Sequence, residues 1–400
     1  MNNRFLGSCC HFFKAGICAA FVAFFYSNLT GVALAQTPAP EPPEVAARAY
    51  LLLDITSNQI LASRDIDSPV EPASLTKLMS AYLVFEALKS KKIDLKQTLD
   101  VSERAWKMPG SRMFIDPKMK VPVEDLLKGM IVQSGNDATV ALAEGVGGNV
   151  DRFVQMMNDQ AKVLGMNNTS YKNPEGLNEA GQSTSARDLA TLATRLMRDF
   201  PEYIATYAIK KYRYPGSPAA NDSNRNLLLL TDPTVDGLIT GHTEAAGYCL
   251  VATARRVFPN IGDRRLMAIV LGANSEIARA NEAQKLLNWG YTAFEAVKLF
   301  EPGQAVATPA IWKGKSNALK LGRSDALVVA VPKGSAAQIK TQLTRPDPIV
   351  APVTRGQTMG SLKIYRGDQF WVEMPLQALD TVEQAGVWGR AWDAVRLWIK

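Results

Sequence analysis

The chain has 400 residues, with 45 Lys and Arg against 38 Asp and Glu, a formal net charge of +7. That length exceeds one ordinary domain and suits two, and 47% apolar with 21% charged residues describes a globular chain with a real core, not a disordered or collagen-like one. With 2 His and 4 Cys, His-rich and Cys-rich metal sites are excluded, and the positive charge is too diffuse to argue for nucleic acid.

Residues 1–35 read as a secretory leader. Arg4 and Lys14 supply a basic start, Ala15 to Tyr26 is uncharged and apolar, and Ala33-Leu34-Ala35 offers small residues where a signal peptidase reads them. A retained membrane span is disfavoured, because the apolar run is interrupted at Ser27-Asn28 and a span needs about 20 residues. Cleavage before Gln36 removes Cys9, Cys10, Cys18 and His11, and leaves Cys249 and His242 as the sole Cys and His. Cys249 lies in the apolar run Tyr248 to Ala252 and reads as a core residue. A Ser-His-Asp triad then has only His242 to draw on, so an exported hydrolase of this composition is expected to use Lys as its base.

Residues 36–47 form a proline-rich linker. Ala49 to Asp54 reads as a buried strand, Ser57-Asn58 as a turn and Gln59 to Ala62 as the returning strand. From residue 74 the pattern is helical: Leu78, Tyr82 and Phe85 recur on one face, and 123–133, 137–146, 151–164 and 185–198 follow. Val235 to Thr240, Gly247 to Ala254 and Leu266 to Gly272 are strands, and a helix at about 276–297 follows them. This order predicts an α/β (α+β) domain, 48–299, with helices packed on an antiparallel sheet that both chain ends build. Pro302-Gly303 marks a boundary. Beyond it, the runs Ala326–Val331, Gln338–Leu343, Pro348–Val353, Met359–Tyr365 and Phe370–Met374 predict a small all-β domain at 300–382. The tail, 383–400, is an amphipathic helix with Trp388, Trp392, Val395 and Ile399 on one face and Arg390, Arg396 and Lys400 elsewhere, a composition that suits a membrane surface. No internal repeat is visible.

Three short pieces carry chemistry. Ser74-Leu75-Thr76-Lys77 puts a hydroxyl and an amine on one helical face at i, i+3, with Leu75, Leu78 and Met79 placed to desolvate the amine and lower its pKa. Ser134-Gly135-Asn136 sits between two helical runs, where Gly135 lets both polar side chains turn into a cleft. Ser134 can relay a proton and Asn136 can meet a substrate amide. Ile239-Thr240-Gly241-His242 ends a short strand, with Gly241 allowing close approach of an extended peptide. Each piece alone is a commonplace: an N-cap, a helix-joining turn, a strand end. In this order and spacing they are far more specific.

Together they resemble the serine penicillin-binding proteins, most closely the low-molecular-mass D-alanyl-D-alanine carboxypeptidases. The likeness covers nearly the whole chain and extends through Glu71 to Lys77, Ser134 to Ala138 and Asp236 to Tyr248. It implies a β-lactamase/transpeptidase-like fold. It further implies Ser74 as the nucleophile of an acyl-enzyme, Lys77 as its base and Ser134 as a proton relay. Asn136, Ile239, Thr240, Gly241 and His242 would be the substrate-binding positions, with the backbone N–H groups of Ser74 and His242 as an oxyanion hole. Peptidoglycan stem peptides are then the substrate and β-lactam antibiotics acylating inhibitors. No metal and no cofactor are implied, and the tail helix would hold the enzyme on the periplasmic face of the bacterial inner membrane.

One residue departs from that pattern. The third motif of the family begins with Lys, and Ile239 stands there. Losing a bond from a charged group costs roughly 1.5–3 kcal/mol, and an electrostatic role in the transition state raises that to about 10²–10³ in rate. A weakened enzyme is expected. A scaffolding homologue without chemistry is the main alternative. A class A-like β-lactamase is a lesser one, since Glu175-Gly176-Leu177-Asn178 is one residue short of its Glu-x-x-Leu-Asn spacing.

Overall fold

The structure, a computed structural model, describes residues 39–218 and 221–399. The expected leader at 1–35, with its three cysteines, lies outside the described residues.

The chain opens with the hairpin β1 (Ala49–Asp54) and β2 (Gln59–Arg64). A 3-10 turn, Ala73–Thr76, runs into helix α1 (Lys77–Lys89). Then come β3 (Thr98–Asp100), the single turn α2 (Glu103–Trp106) and β4 (Lys120–Pro122), where β3 and β4 make a short ribbon. Helices α3 (Val123–Val132), α4 (Asn136–Gly147), α5 (Val150–Leu164) and α6 (Ala186–Asp199) follow within two residues of the sequence expectation. Asn149 and Ser185 each accept a backbone N–H three residues on, which satisfies a first-turn donor of α5 and α6. After the short turns α7 (Ile204–Tyr207) and α8 (Leu228–Thr231), the chain forms β5 (Val235–Thr243), β6 (Gly247–Phe258) and β7 (Gly262–Ala273), then α9 (Glu276–Ala293).

The five long strands form one antiparallel sheet in the order β2-β1-β7-β6-β5. β1, from the start of the domain, pairs with β7 from its end, Leu51 opposite Ile269. Side chains alternate along β1: Leu51 and Leu53 enter the core that surrounds α1, whereas Tyr50 and Leu52 enter the core under α9. Burial on both faces is why this strand reads as an unbroken apolar run. β5 is an edge strand, so one side of its ladder remains open towards the α1 turn.

The β-rich C-terminal part holds β8 (Phe294–Phe300), β9 (Ala305–Ala307), β10 (Ile311–Trp312), β11 (Leu321–Gly322), β12 (Leu327–Pro332), β13 (Ile339–Thr344), β14 (Ile349–Val350), β15 (Thr358–Arg366) and β16 (Gln369–Ala378). A five-stranded sheet runs β13-β15-β16-β11-β9, with ribbons β8–β12 and β10–β14 beside it. Two expectations are corrected. The helix expected to reach 297 ends at Ala293, because Phe294 and Ala296 are buried at period two and β12 supplies a ladder for them. The β-rich part therefore starts at Phe294, not at 300. The strand expected over 348–353 shrinks to two residues, bracketed by Pro348 and Pro352, which lack the N–H a ladder needs. Helix α10 (Val387–Ile399) closes the chain. Among the described residues no helix is long and apolar enough to cross a membrane.

Two backbone clamps join the parts. The Gln59 amide bonds both the N–H and the C=O of Ala330, at 2.7 and 3.1 Å. The buried Arg264 guanidinium pairs with Asp54 at 2.8 Å and donates to Phe294 O at 2.9 Å.

Candidate active site

The site grows from the turn ahead of α1. Ala73 lies in the left-handed region (φ +46°), and the turn swings Ser74 out at the mouth of the helix. Ser74 makes no capping bond, and it precedes α1 instead of opening it. Lys77, the first residue of α1, is 1% exposed. Its Nζ lies 3.0 Å from Ser74 Oγ, 2.8 Å from Asn136 Oδ1 and 2.7 Å from the carbonyl oxygen of Glu175. Burial lowers its pKa from 10.5 to about 7, while the Glu175 and Asp137 carboxylates oppose that fall. Burial also raises the pKa of Glu175 itself.

These contacts decide what the amine does. Neutral Lys has two N–H bonds and one lone pair. Asn136 Oδ1 and Glu175 O accept the two N–H bonds, so the lone pair is directed at Ser74 Oγ. That is the geometry of a base taking the hydroxyl proton.

The other segments hold this pair in place. Asn136 Nδ2 donates to Pro109 O at 2.7 Å, which fixes the amide so that Oδ1 faces Lys77. Both ends of Asn136 are thus committed within the protein, and its amide orients the Lys77 amine. Asp137, fully buried, accepts from the backbone N–H groups of Met113 and Phe114 at 2.8 and 2.7 Å and fixes the 111–115 loop at the cleft edge. Ser134 adopts φ +56° between α3 and α4 and reaches the same cleft.

Two glycines allow the close approach. A Cβ on Gly241 would meet Pro72 O and Ser74 N at 3.2 Å, so the β5 edge abuts the turn that carries Ser74. A Cβ on Gly176, at φ +89°, would lie 1.9 Å from Ala73 O, so the 174–177 segment rests directly on that turn. That segment is tied down by Ser80 Oγ donating to Pro174 O at 2.7 Å and by Gly176 N donating to Asn173 Oδ1 at 2.8 Å.

The open space in front of Ser74 is a cavity of about 310 Å³. Of the sequence-predicted residues, Ser74, Ser134, Thr240, Gly241 and His242 line it. His242 stacks on Tyr248 with centroids 3.9 Å apart. Lys77 and Asn136 stand behind this lining. Ile239 does not join it: it is 4% exposed and belongs to the apolar core around α1. Cys249 pairs with Gly241 across the sheet and stays in that core, its thiol pKa raised by burial.

Sequence reasoning missed the cations of the cleft. Arg279 and Arg225 both line it. Arg279 is buried on α9, bonds Gly241 O at 3.2 Å and Glu276 Oε1 at 2.9 Å, and has its pKa lowered by that burial. Arg225 is exposed and bonds Asn221 Oδ1 at 2.9 Å. One acid, Glu276, faces these two guanidinium groups in the lining, so the cleft favours an anionic ligand. The only available signal was an Arg on the buried stripe of α9, with Ala280, Ala283, Leu286 and Leu287. Another cavity, about 410 Å³, lies in the β-rich part beside Lys320 and Arg355, and none of the three motif segments lines it, so the site is assigned to the smaller one. Among the described residues, no group of three or more His, Cys, Asp and Glu could hold a metal ion.

The chain is similar to known proteins over most of its length. The family model for D-alanyl-D-alanine carboxypeptidase matches residues 36–275, and that for the penicillin-binding protein 5 C-terminal domain matches residues 294–384. The D-alanyl-D-alanine carboxypeptidase DacC of Escherichia coli (strain K12) is 38% identical over 390 residues, 96% of this chain and 95% of that one. The crystal structure of penicillin binding protein 5 from Haemophilus influenzae superposes with a TM-score of 0.78 at 36% identity, covering 86% of this chain and 100% of that one. Penicillin-Binding Protein D2 from Listeria monocytogenes, in its ampicillin-bound form, gives 0.56 at 28% identity over 63% of this chain and 100% of that one.

Proposed function

The chain belongs to the serine-type D-alanyl-D-alanine carboxypeptidases, with the C-terminal domain of penicillin-binding protein 5, and from that premise we propose that it trims the terminal D-Ala of peptidoglycan stem peptides through an acyl-enzyme on Ser74. The observation that carries this reading is the buried Lys77 Nζ at 3.0 Å from Ser74 Oγ. Ser74 Oγ attacks the carbonyl carbon between the two D-Ala residues while Lys77 takes its proton. The oxyanion forms between the backbone N–H groups of Ser74 and His242. The proton passes through Ser134 to the departing D-Ala amine, the C–N bond breaks, and water hydrolyses the Ser74 ester. Thr240, Arg279 and Arg225 receive the terminal carboxylate. A β-lactam, which presents a carboxylate beside a strained amide, enters the same cleft and acylates the same hydroxyl.

Ile239 weakens the reaction. The two guanidinium groups supply the positive charge that binding the carboxylate requires. Neither restores the Lys that opens the family's third motif, so the loss falls on the chemical step and not on binding. A scaffold without chemistry is the second reading, and Ile239 is the observation that favours it. Export to the periplasmic face of the inner membrane follows from the leader, and attachment there from α10, whose indoles and cations suit anionic lipid.

Mass spectrometry of the intact protein after incubation with penicillin tests the reading. An adduct of one penicillin is expected, localised to the peptide that contains Ser74 and absent from Ser74→Ala. No adduct at high penicillin concentration supports the scaffold.

A further inference from the structure

Helix α10 exposes Trp388, Trp392 and Trp398 at 91%, 66% and 89%. At about 100° per residue these three share one side of the helix with the exposed Val387, and Asp393 lies on the other. Asp393 is the sole acid of α10. Its Oδ2 accepts the backbone N–H of Lys313 at 2.6 Å. One turn further, the Arg396 guanidinium sits 5.5 Å from the Trp312 ring. The segment that leads into the helix runs along the same edge: Ala385 N donates to Lys313 O at 2.8 Å, and Lys315 N donates to Glu383 O at 2.9 Å. The helix is therefore held on its polar side by β10 and the residues that follow it.

A carboxylate carried into an anionic headgroup layer meets repulsion and loses hydration. Bonded to a backbone N–H of the β-rich part, Asp393 is withdrawn from the side that bears the indoles. What remains outward is aromatic, with cations at its flanks, and this complements anionic lipid. Resting on the membrane reading above, we propose that Asp393 is a latch that fixes α10 against Trp312 and Lys313, so that the indole face meets an anionic lipid surface at a set angle to the β-rich part instead of on a free tether.

The test uses the full chain and vesicles of phosphatidylethanolamine with phosphatidylglycerol. Co-sedimentation reads binding, amide hydrogen exchange reads the Lys313 N–H, and energy transfer from a dye on Thr344→Cys to a labelled headgroup reads the angle. In Asp393→Ala, vesicle binding is expected to persist. Lys313 is expected to exchange about tenfold faster or more, since a bond to a charged acceptor is lost, and the single dye-to-lipid distance of the native chain is expected to broaden. Unchanged Lys313 protection, or an unchanged distance distribution with vesicles bound, overturns the latch. If the native chain ignores the vesicles, or dimerises through the indole face, the lipid reading fails and the proposal with it. That outcome is recognisable because Lys313 protection still depends on Asp393.

Discussion

Acylation should follow the deprotonation of Lys77. Its amine accepts the Ser74 proton only when neutral, and its pKa lies at about 7. The neutral fraction is then about one-eleventh at pH 6 and about ten-elevenths at pH 8, so the acylation rate rises about tenfold between them, with unit slope on a logarithmic plot below pH 6. An unburied Lys at 10.5 would still be climbing at pH 9. The assay is the initial rate of labelling by a fluorescent penicillin, whose own carboxylate is ionised throughout, with circular dichroism at each pH to establish that the fold is intact. A rate independent of pH from 5 to 8, or one still rising tenfold per unit at pH 9, refutes the assignment of Lys77 as a desolvated base.

Two further outcomes follow from the same site. Ile239→Lys is expected to raise kcat for a D-Ala-D-Ala peptide about tenfold or more while KM moves less than about threefold, because on the proposed mechanism the two cleft arginines bind the carboxylate. D-Ala release kinetics check it, and equal rates in the native chain and the variant show that Ile239 costs nothing. Lys77→Met is expected to abolish acylation yet raise thermal stability. The native amine pKa of about 7 lies below the unfolded 10.5, so the unfolded chain binds more protons between those values and stability rises with pH across that window. Below it the buried amine costs on the order of 5 kcal/mol. Part of that gain is lost because Met leaves Asn136 Oδ1 and Glu175 O without a donor, so a rise of a few degrees in Tm by scanning calorimetry is the expected net result. A lower Tm would mean that those two acceptors outweigh the amine.

The fold was legible where burial imposes a period, and illegible where pairing partners decide. Ala49–Asp54 is apolar on both faces because α6 packs on one and α9 on the other, so its strand could be read directly. Phe294–Phe300 abuts a helix and has no turn residue before it. Its conversion to strand depends on β12, some thirty residues away, which no local pattern announces. In the site, Ser74 and Lys77 were legible because one helical turn joins them. The Glu175 contribution was not, since the group that matters is a backbone carbonyl every residue possesses. Asn136 was read as a ligand for substrate, and its amide instead spans Lys77 and Pro109.

Ile239 also decides which of two electrostatic effects prepares the nucleophile. A cation at residue 239, whose side chain packs in the core around α1, would depress Lys77 by repulsion, and its absence forfeits that help. The structure lowers Lys77 by burial alone, and burial takes it to about 7 even against the pull of Glu175 and Asp137. The base is therefore available near neutral pH without the missing Lys. On the proposed mechanism, what Ile239 withholds is a positive group where negative charge develops in the transition state, which desolvation cannot replace. This separates the two roles by experiment. If the loss lay in the base, Ile239→Lys would move the acid limb of the profile and leave its plateau. If it lies in the transition state, the plateau rises by more than the limb moves, and the acid limb shifts only slightly to lower pH as the new cation repels the protonated amine. A limb that moves by more than about one unit with an unchanged plateau would show that Lys77 was never adequately prepared by burial.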